Sequence, residues 1–157
     1  MPFVKVYIHF VWCTKKRKKL LLTPEIRKTV WKHIKANAKE KGIHIDQING
    51  YEEHCHALIS LTTDQTIRKI MQLIKGESSF WINQQKLIKG KFEWQDEYYA
   101  VSVSESVLGR VRAYIKRQEE HHRKKSFEEE YEEFMERFGL QRFSDEEEIP
   151  PTEVGGN

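Results

Sequence analysis

The sequence predicts an α+β fold, a ferredoxin-like βαββαβ unit with a four-stranded antiparallel sheet, followed by one further helix and an extra C-terminal helix. Two strand-type stretches flank Asn49-Gly50, a dipeptide typical of tight hairpin turns. Stretches with the 3.6-residue apolar period of a helix follow the first and third strand-type stretches. The resulting order of elements is that of the split βαβ arrangement.

The first strand and helix are indicated by residue type. Residues 3–13 are rich in β-branched and aromatic side chains, which favours a strand. Thr23-Pro24-Glu25 opens a helix, because Thr caps, Pro suits the first helical position and Glu favours the positive end of the helix dipole. Gly42 ends this helix, and residues 43–49 form the second strand.

The second helix begins after Asp64 or Thr66, either of which can cap it. Gly76 lies within this helix, where a close approach to backbone or to a nucleic acid, or a tolerated kink, would each explain a glycine. A polar loop over residues 86–96 then leads into a fourth strand over residues 98–104. Two serines, Ser104 and Ser106, are alternative caps for the helix that follows.

Charge divides the chain into parts. Residues 1–125 have a balance of +12 and residues 126–157 a balance of −9, which gives the net +3. We therefore assign residues 1–125 to one domain, residues 126–140 to an amphipathic helix and residues 141–157 to an acidic tail that we expect to be disordered. The sequence has no long apolar run and no secretory signal, so we expect a cytoplasmic protein without a membrane segment.

The basic part carries a dense cluster of cations directly after the first strand. Like charges packed together repel unless something neutralises them, so a polyanion such as a phosphate backbone is the expected partner. The residues predicted to contact these phosphates are Lys15, Lys16, Arg17 and Lys18.

Two histidines stand on the predicted strand after the hairpin. Side chains at i and i+2 of a strand point to the same face, so His54 and His56 project together while Cys55 points to the opposite face. Two neighbouring imidazoles provide half of a metal site. A pair of polar surface residues would give the same pattern.

A later helix offers side chains that could complete the site. Tyr114 and Gln118 lie four residues apart on its apolar face, so a hydroxyl and a carboxamide oxygen can address the same point. The alternative is that Tyr114 packs in a core and Gln118 marks the solvent boundary. The pattern of this helix alone does not separate the two.

The ordered set of these motifs resembles the single-tyrosine HUH transposases of insertion sequences, the IS200-like and REP-associated tyrosine transposases. The resemblance includes His54-x-His56, the Tyr-Ile-x-x-Gln of residues 114–118, and the stretches at residues 8–17, 74–76, 92–95 and 99–104. It extends to about residue 140. Cys55 stands where the family usually has an aliphatic residue, a mild change because cysteine behaves as a small hydrophobe.

The resemblance implies a metal-dependent enzyme that cleaves and rejoins single-stranded DNA through a 5′-phosphotyrosine intermediate. Tyr114 on the catalytic helix would be the nucleophile, and His54, His56 and Gln118 would hold the metal. Mixed nitrogen and oxygen ligands suit Mg2+ or Mn2+. The expected partners are single-stranded DNA that contains a hairpin and a second copy of the chain in a homodimer.

Other residues have two interpretations each. Glu53 either orients a histidine or ends a strand in solvent, and His121 either reaches the metal or phosphate or is a surface residue. Tyr98 and Tyr99 are competing nucleophiles, although tyrosines in strands usually serve packing. The remaining aromatics of this region, which either stack on bases or fill the core, are Phe92 and Trp94.

Two rival functions remain open at this point. A ferredoxin-like sheet with a basic rim is also the plan of RNA-binding modules, although no aromatic-rich strand of that type is present. A transposase domesticated for DNA binding is the other alternative. The intact set of His54, His56, Tyr114 and Gln118 favours retained chemistry.

Overall fold

The computed structural model describes residues 2–122 and 125–138, without the side chains of residues 134, 135, 137 and 138. The chain divides between residues 124 and 125 into two units, which are considered separately. The acidic tail predicted over residues 141–157 and the helix stop predicted at Gly139 lie outside the described residues.

The first unit contains a four-stranded antiparallel sheet. Its strands run in the order β2-β3-β1-β4 across the sheet, and each neighbouring pair is antiparallel. The predicted ferredoxin-like α+β fold is therefore confirmed. The strands are β1 (Val6–Thr14), β2 (His44–Gly50), β3 (His54–Leu61) and β4 (Trp94–Val103).

Four helices of the first unit connect or follow the strands. Helix α1 (Pro24–Glu40) joins β1 to β2, and α2 (Ile67–Gln85) joins β3 to β4. Helices α3 (Leu108–Lys116) and α4 (Gln118–His121) follow the sheet. The single helix predicted to carry Tyr114 and Gln118 is thus two helices separated at Arg117, whose φ of −97° and ψ of 18° interrupt the helical path.

Helix starts follow the predicted capping. The Thr23 hydroxyl accepts from the Ile26 amide at 3.2 Å, with Pro24 as the first helical residue. For α2 the cap is Thr66, which accepts from the Lys69 amide at 3.2 Å, so the choice between Asp64 and Thr66 is settled.

The prediction that Asn49-Gly50 forms the hairpin turn was wrong. Strand β2 continues through Gly50, and residues 51–53 make the connection to β3. A Cβ on Gly50 would lie 2.1 Å from the carbonyl oxygen of His54. Glycine is required here because two backbones approach closely, not because a turn demands it.

The main hydrophobic core lies between one face of the sheet and helices α1 and α2. Phe92 and Trp94 belong to this core, and the indole Nε1 of Trp94 donates to the Ser78 hydroxyl at 2.8 Å. Both aromatics therefore fill the core, and the expectation that they could stack on bases is not met. A smaller cluster, built on Leu58, Leu108 and Ile115, packs α3 against the opposite face.

Two further differences concern the fourth strand and the second helix. Strand β4 begins at Trp94, earlier than predicted, and Ser104 caps a 3-10 turn that precedes α3. A Cβ on Gly76 would have no heavy atom of the described chain within 4 Å, so no close approach within the protein explains this glycine.

The second unit contains helix α5 (Phe127–Phe138), as the amphipathic pattern predicts. Its start is a capping box: the Glu129 amide donates to the Ser126 hydroxyl at 3.2 Å, and the Ser126 amide donates to the Glu129 carboxylate at 3.2 Å. Among the helices described in both units, none combines the length and apolar character needed to cross a membrane.

Candidate metal and tyrosine site

Alternation along β3 separates two kinds of side chain. Cys55 points into the main core, whereas His54 and His56 point to the opposite face, and all three are fully buried. The ring centres of the two histidines lie 5.1 Å apart. A central strand of the sheet therefore presents two imidazoles side by side, in the orientation predicted from the sequence.

His54 stands between a carboxylate and a carboxamide. Its Nδ1 lies 2.8 Å from Glu53 Oε1, and its Nε2 lies 3.0 Å from Gln118 Oε1. A carboxylate only accepts, so Nδ1 carries a proton, and in the neutral ring the lone pair is then on Nε2. Of the two interpretations of Glu53, the contact therefore favours the one in which it orients His54 over that of a strand end in solvent.

The orientation of the Gln118 amide follows from its other end. Its Nε2 points to the carbonyl oxygen of Tyr114 at 3.5 Å, which leaves Oε1 to face His54. Gln118 is fully buried. An amide oxygen and an imidazole lone pair that face each other in a buried site repel unless a cation or a proton lies between them.

Tyr114 lies over the same face of the sheet. The centre of its ring is 5.5 Å from that of His56, in an edge-to-face arrangement. Of the competing nucleophiles, Tyr98 packs against the main core on the other face. Tyr99 pairs with Val11 in the sheet, and Val11 in turn pairs with His56, so Tyr99 shares the histidine face.

Two consecutive histidines follow Gln118. The ring of His121 lies 5.4 Å from that of Tyr114, and the ring of His122 lies 4.5 Å from that of His54. The half-buried His121 is therefore not a plain surface residue. Sequence reasoning missed His122, although its position four residues after Gln118 places both on one helical face.

A ring nitrogen from each of three histidines could bind a common ion. These atoms of His54, His56 and His122 lie within 4.8 Å of one another. Imidazole nitrogens and a carboxamide oxygen are neutral ligands that suit Mn2+, Mg2+ and several other divalent ions. The donor set present here therefore fits a divalent metal.

Sequence reasoning also missed His9 on β1. This residue is 5% exposed, and its Nε2 lies 2.9 Å from His56 Nδ1. The strand register places Val11 opposite His56, so His9 is the diagonal neighbour of His56 across the two strands. Of the seven histidines in the sequence, five gather at this site.

Burial shifts the titration of these groups. It lowers the pKa of His9 and of His56 well below the usual range, and the neighbouring imidazole charge lowers each further. Burial would raise the pKa of Glu53, but the hydrogen bond and the charge of His54 outweigh it and lower that pKa. Imidazoles that stay neutral keep lone pairs available for a metal.

Polar contacts fix helix α3 against strand β2. The Arg112 guanidinium donates twice to the Asp46 carboxylate, at 2.9 and 2.8 Å. The Asn49 amide donates to the last carbonyl oxygens of α3, those of Ile115 at 3.0 Å and Lys116 at 3.1 Å. These contacts hold the helix that carries Tyr114 next to the histidines of the same chain.

An ion pair between buried Arg27 and the partly exposed Glu119 fixes helix α4. Arg27 at the start of α1 is 3% exposed and donates from two nitrogens to the Glu119 carboxylate, at 2.7 Å each. Its remaining terminal nitrogen donates to the Leu21 carbonyl oxygen at 2.6 Å. Since Glu119 adjoins Gln118, this pair sets the position of the Gln118 side chain over His54.

The cluster of cations forms a tight turn beside the start of β3, where His54 lies. Residues 15–17 make a 3-10 turn in which Lys16 and Arg17 have positive φ angles of 58° and 54°. The amide of Thr14, which precedes the turn, donates to the Glu53 carbonyl oxygen at 2.8 Å. The turn is therefore anchored to the residue before His54, and Lys15, Lys16 and Lys18 are exposed around it.

Comparisons with known proteins agree with one another. Residues 3–118 match the family described as "Transposase IS200 like". The ISDra2 transposase TnpA of Deinococcus radiodurans is 26% identical over 116 residues, which cover 70% of this chain and 81% of that protein.

Two solved structures share the fold. One, from Deinococcus radiodurans and described as a transposase, has a TM-score of 0.56 and 22% identity, and the match covers 74% of this chain and 93% of that one. The other, a REP-associated tyrosine transposase bound to a REP hairpin, has a TM-score of 0.58 and 15% identity over 78% and 71% of the two chains.

Proposed function

The chain belongs to the IS200-like transposase family, and from this we propose that it cleaves and rejoins single-stranded DNA with Tyr114 as the nucleophile in a metal-dependent reaction. The observation that carries this proposal is the pairing of His54 with Gln118. These residues are 64 positions apart in the sequence, yet their Nε2 and Oε1 atoms lie 3.0 Å apart in a buried site. Two such acceptors are expected to face each other where a cation binds between them.

The proposed ligands are His54, His56 and Gln118, and His122 is placed to join them. Glu53 fixes the tautomer of His54 by accepting its Nδ1 proton. When Mg2+ or Mn2+ is bound, it supplies a Lewis acid that draws charge from a phosphate oxygen of the scissile group.

In the proposed reaction the Tyr114 oxygen attacks the phosphorus of the scissile phosphodiester. The new bond is a 5′-phosphotyrosine link, the bond from phosphorus to the 3′ oxygen breaks, and the departing 3′ oxygen takes up a proton. The phenol must lose its own proton because a tyrosine with a pKa of about 10 is a poor nucleophile at neutral pH. The ring of His121, outside the proposed ligands, lies 5.4 Å from that of Tyr114, and we propose that His121 accepts that proton.

The proposed DNA contacts are those of Lys15, Lys16, Arg17 and Lys18. Their turn is anchored beside Glu53, so their charge lies at the end of the sheet where β3 begins with His54. Phosphates bound there would place DNA near the site. The similar fold of a transposase bound to a REP hairpin supports a hairpin-containing single strand as the substrate.

We propose a cytoplasmic protein that can assemble as a homodimer. The described part of one chain brings Tyr114, His56, His54 and Gln118 together, which supports a site formed within one chain. Light scattering during size-exclusion chromatography measures the oligomeric state. Mixing the Tyr114→Phe and His56→Ala variants tests for a shared site, because only exchange of these elements between chains would restore activity.

The decisive experiment uses labelled single-stranded DNA from the flanks of the gene, with Mn2+ or Mg2+, and denaturing gels that detect a covalent adduct. We expect an adduct with the wild type and with Tyr99→Phe, a matched control on the same face of the sheet. We expect none with Tyr114→Phe or with the double variant His54→Ala/His56→Ala.

An adduct that survives Tyr114→Phe and disappears with Tyr99→Phe would keep the reaction class and reassign the nucleophile. Tight DNA binding without an adduct on any flanking substrate would favour a non-catalytic nucleic-acid-binding module or a domesticated transposase.

A further inference from the structure

His9 is not one of the proposed metal ligands, but it is hydrogen-bonded to one of them, His56. Its Nε2 lies 2.9 Å from Nδ1 of His56, with ring centres 5.1 Å apart. Both rings are buried, so the contact between them is shielded from water. The pairing results from the register of β1 and β3, which fixes both backbones on either side of it.

The short contact constrains the protons of both rings. A buried imidazole is favoured in its neutral form, with one N–H and one lone pair. A hydrogen bond between two nitrogens requires that one of them donates and the other accepts. Either His56 Nδ1–H donates to His9 Nε2, or His9 Nε2–H donates to His56 Nδ1.

Only the first arrangement permits His56 to bind a metal through Nε2. When Nδ1 of His56 carries the proton, the lone pair of that ring is on Nε2. When His9 donates instead, Nε2 of His56 carries the proton and cannot act as a ligand.

We propose that His9 is a positioning residue that accepts the Nδ1 proton of His56 and thereby keeps the Nε2 lone pair of His56 available to the metal. The inference rests on the proposed function, in which His56 is a ligand. Glu53 performs the same task for His54 at 2.8 Å. The two proposed ligands thus have different hydrogen-bond partners, a carboxylate for His54 and a second imidazole for His56.

The Glu53 carboxylate and the His9 imidazole differ in whether they can donate a hydrogen bond. A carboxylate in its ionised form can only accept, so Glu53 permits one tautomer of His54. The imidazole of His9 can accept or donate, so it permits both tautomers of His56 and favours the metal-binding one when its own proton is on Nδ1. Loss of an orienting partner of a ligand typically weakens metal binding by about 10- to 100-fold.

The test compares two substitutions of His9 in the full chain. His9→Gln retains a side-chain oxygen that can accept the proton, whereas His9→Leu has similar bulk but no acceptor. We expect calorimetric Mn2+ binding about 10- to 100-fold weaker for His9→Leu and within a few fold of the wild type for His9→Gln. Thermal unfolding without metal shows that each variant is folded.

Nitrogen-15 NMR of the metal-free protein reads the tautomer directly. We expect the proton of His56 on Nδ1 in the wild type and in His9→Gln, and a mixture of tautomers in His9→Leu. A wild-type His56 with its proton on Nε2 would overturn the inference. Mn2+ binding by folded His9→Leu within threefold of the wild type, or equal losses in both variants, would also overturn it.

The two proposals can fail separately. If the wild type binds no Mn2+ and forms no adduct, the proposed metal site fails. The tautomer of His56 in the metal-free protein then still decides whether His9 accepts its proton.

Discussion

Lowering the pH from 7.5 to 5.5 is expected to destabilise the metal-free protein through two buried histidines. Burial lowers the pKa of His9 and of His56 well below the ordinary value of 6.5. In the unfolded chain both rings take up protons as the pH falls through 6.5, while in the folded chain they stay neutral. The unfolded state therefore binds more protons, and the free energy of unfolding falls with the pH.

The size of the effect follows from the proton balance. A histidine that stays neutral when folded and titrates normally when unfolded costs about 1 kcal/mol of stability between pH 7.5 and 5.5. Together His9 and His56 are expected to cost about 2–3 kcal/mol over that range. The stability that is lost at low pH through these two histidines is fully present above pH 7.5.

Urea unfolding with a chelator present measures this loss, and the buried indoles of Trp12, Trp31 and Trp94 are expected to report it by fluorescence. The variant His9→Gln removes one of the two groups, so its loss between pH 7.5 and 5.5 is expected to be about 1 kcal/mol smaller than that of the wild type. A wild-type stability that does not change over this range would refute the reasoning. Identical losses in the two proteins would show that His9 does not contribute.

Four further perturbations have defined outcomes. Gly50→Ala places a Cβ 2.1 Å from the His54 carbonyl oxygen, so we expect the free energy of unfolding in urea to fall by about 2 kcal/mol or more. Gly76→Ala has open space around the new Cβ, so we expect the free energy of unfolding to rise by about 0.5–1 kcal/mol. Glu119→Gln weakens the partner of the buried Arg27, so we expect a loss of about 1–3 kcal/mol and weaker Mn2+ binding in calorimetry; unchanged values would contradict the role of this pair. Mn2+ at about 100 times its Kd is expected to raise the free energy of unfolding by about 2.7 kcal/mol, as a shift in Tm that a variant lacking both β3 histidines does not show.

The fold was predictable because local patterns determine it. The capping residues Thr23 and Pro24 and the apolar period of α1 are visible in the sequence, and the structure confirms them. The family resemblance and the prediction of a transposase are confirmed at the level of the family by the match over residues 3–118. The assignment of Tyr114 as nucleophile and of the four basic residues to DNA stays a prediction.

The contacts that sequence reasoning missed depend on geometry between elements. His9 reaches His56 only because the register pairs Val11 with His56, and a register between separate strands is not visible in either strand alone. His122 approaches His54 after the helix is interrupted at Arg117, which changes the direction of the residues that follow. The four-residue spacing from Tyr114 to Gln118 to His122 is visible in the sequence, but the contact of His122 with His54 depends on how that segment packs on the sheet.

The prediction of a hairpin turn at Asn49-Gly50 was wrong for a related reason. Asn49-Gly50 has the composition of a turn, but Asn49 instead donates to the end of α3, and Gly50 permits two backbones to meet. Asn49 thus serves a contact with a distant part of the chain, and Gly50 serves a close approach to the facing strand β3. A dipeptide preference describes only its nearest neighbours.

The unequal cover of the two sheet faces has a consequence for motion. Large aromatic and aliphatic side chains bind α1 and α2 to one face, whereas α3 meets the other through the small cluster of Leu58, Leu108 and Ile115. Amide protons of α3 are therefore expected to exchange through local openings that cost less free energy than those of β1 and β3. His9, His54 and His56 lie on the strands that are expected to exchange slowest, and Tyr114 lies on a segment that is expected to open while the sheet stays folded.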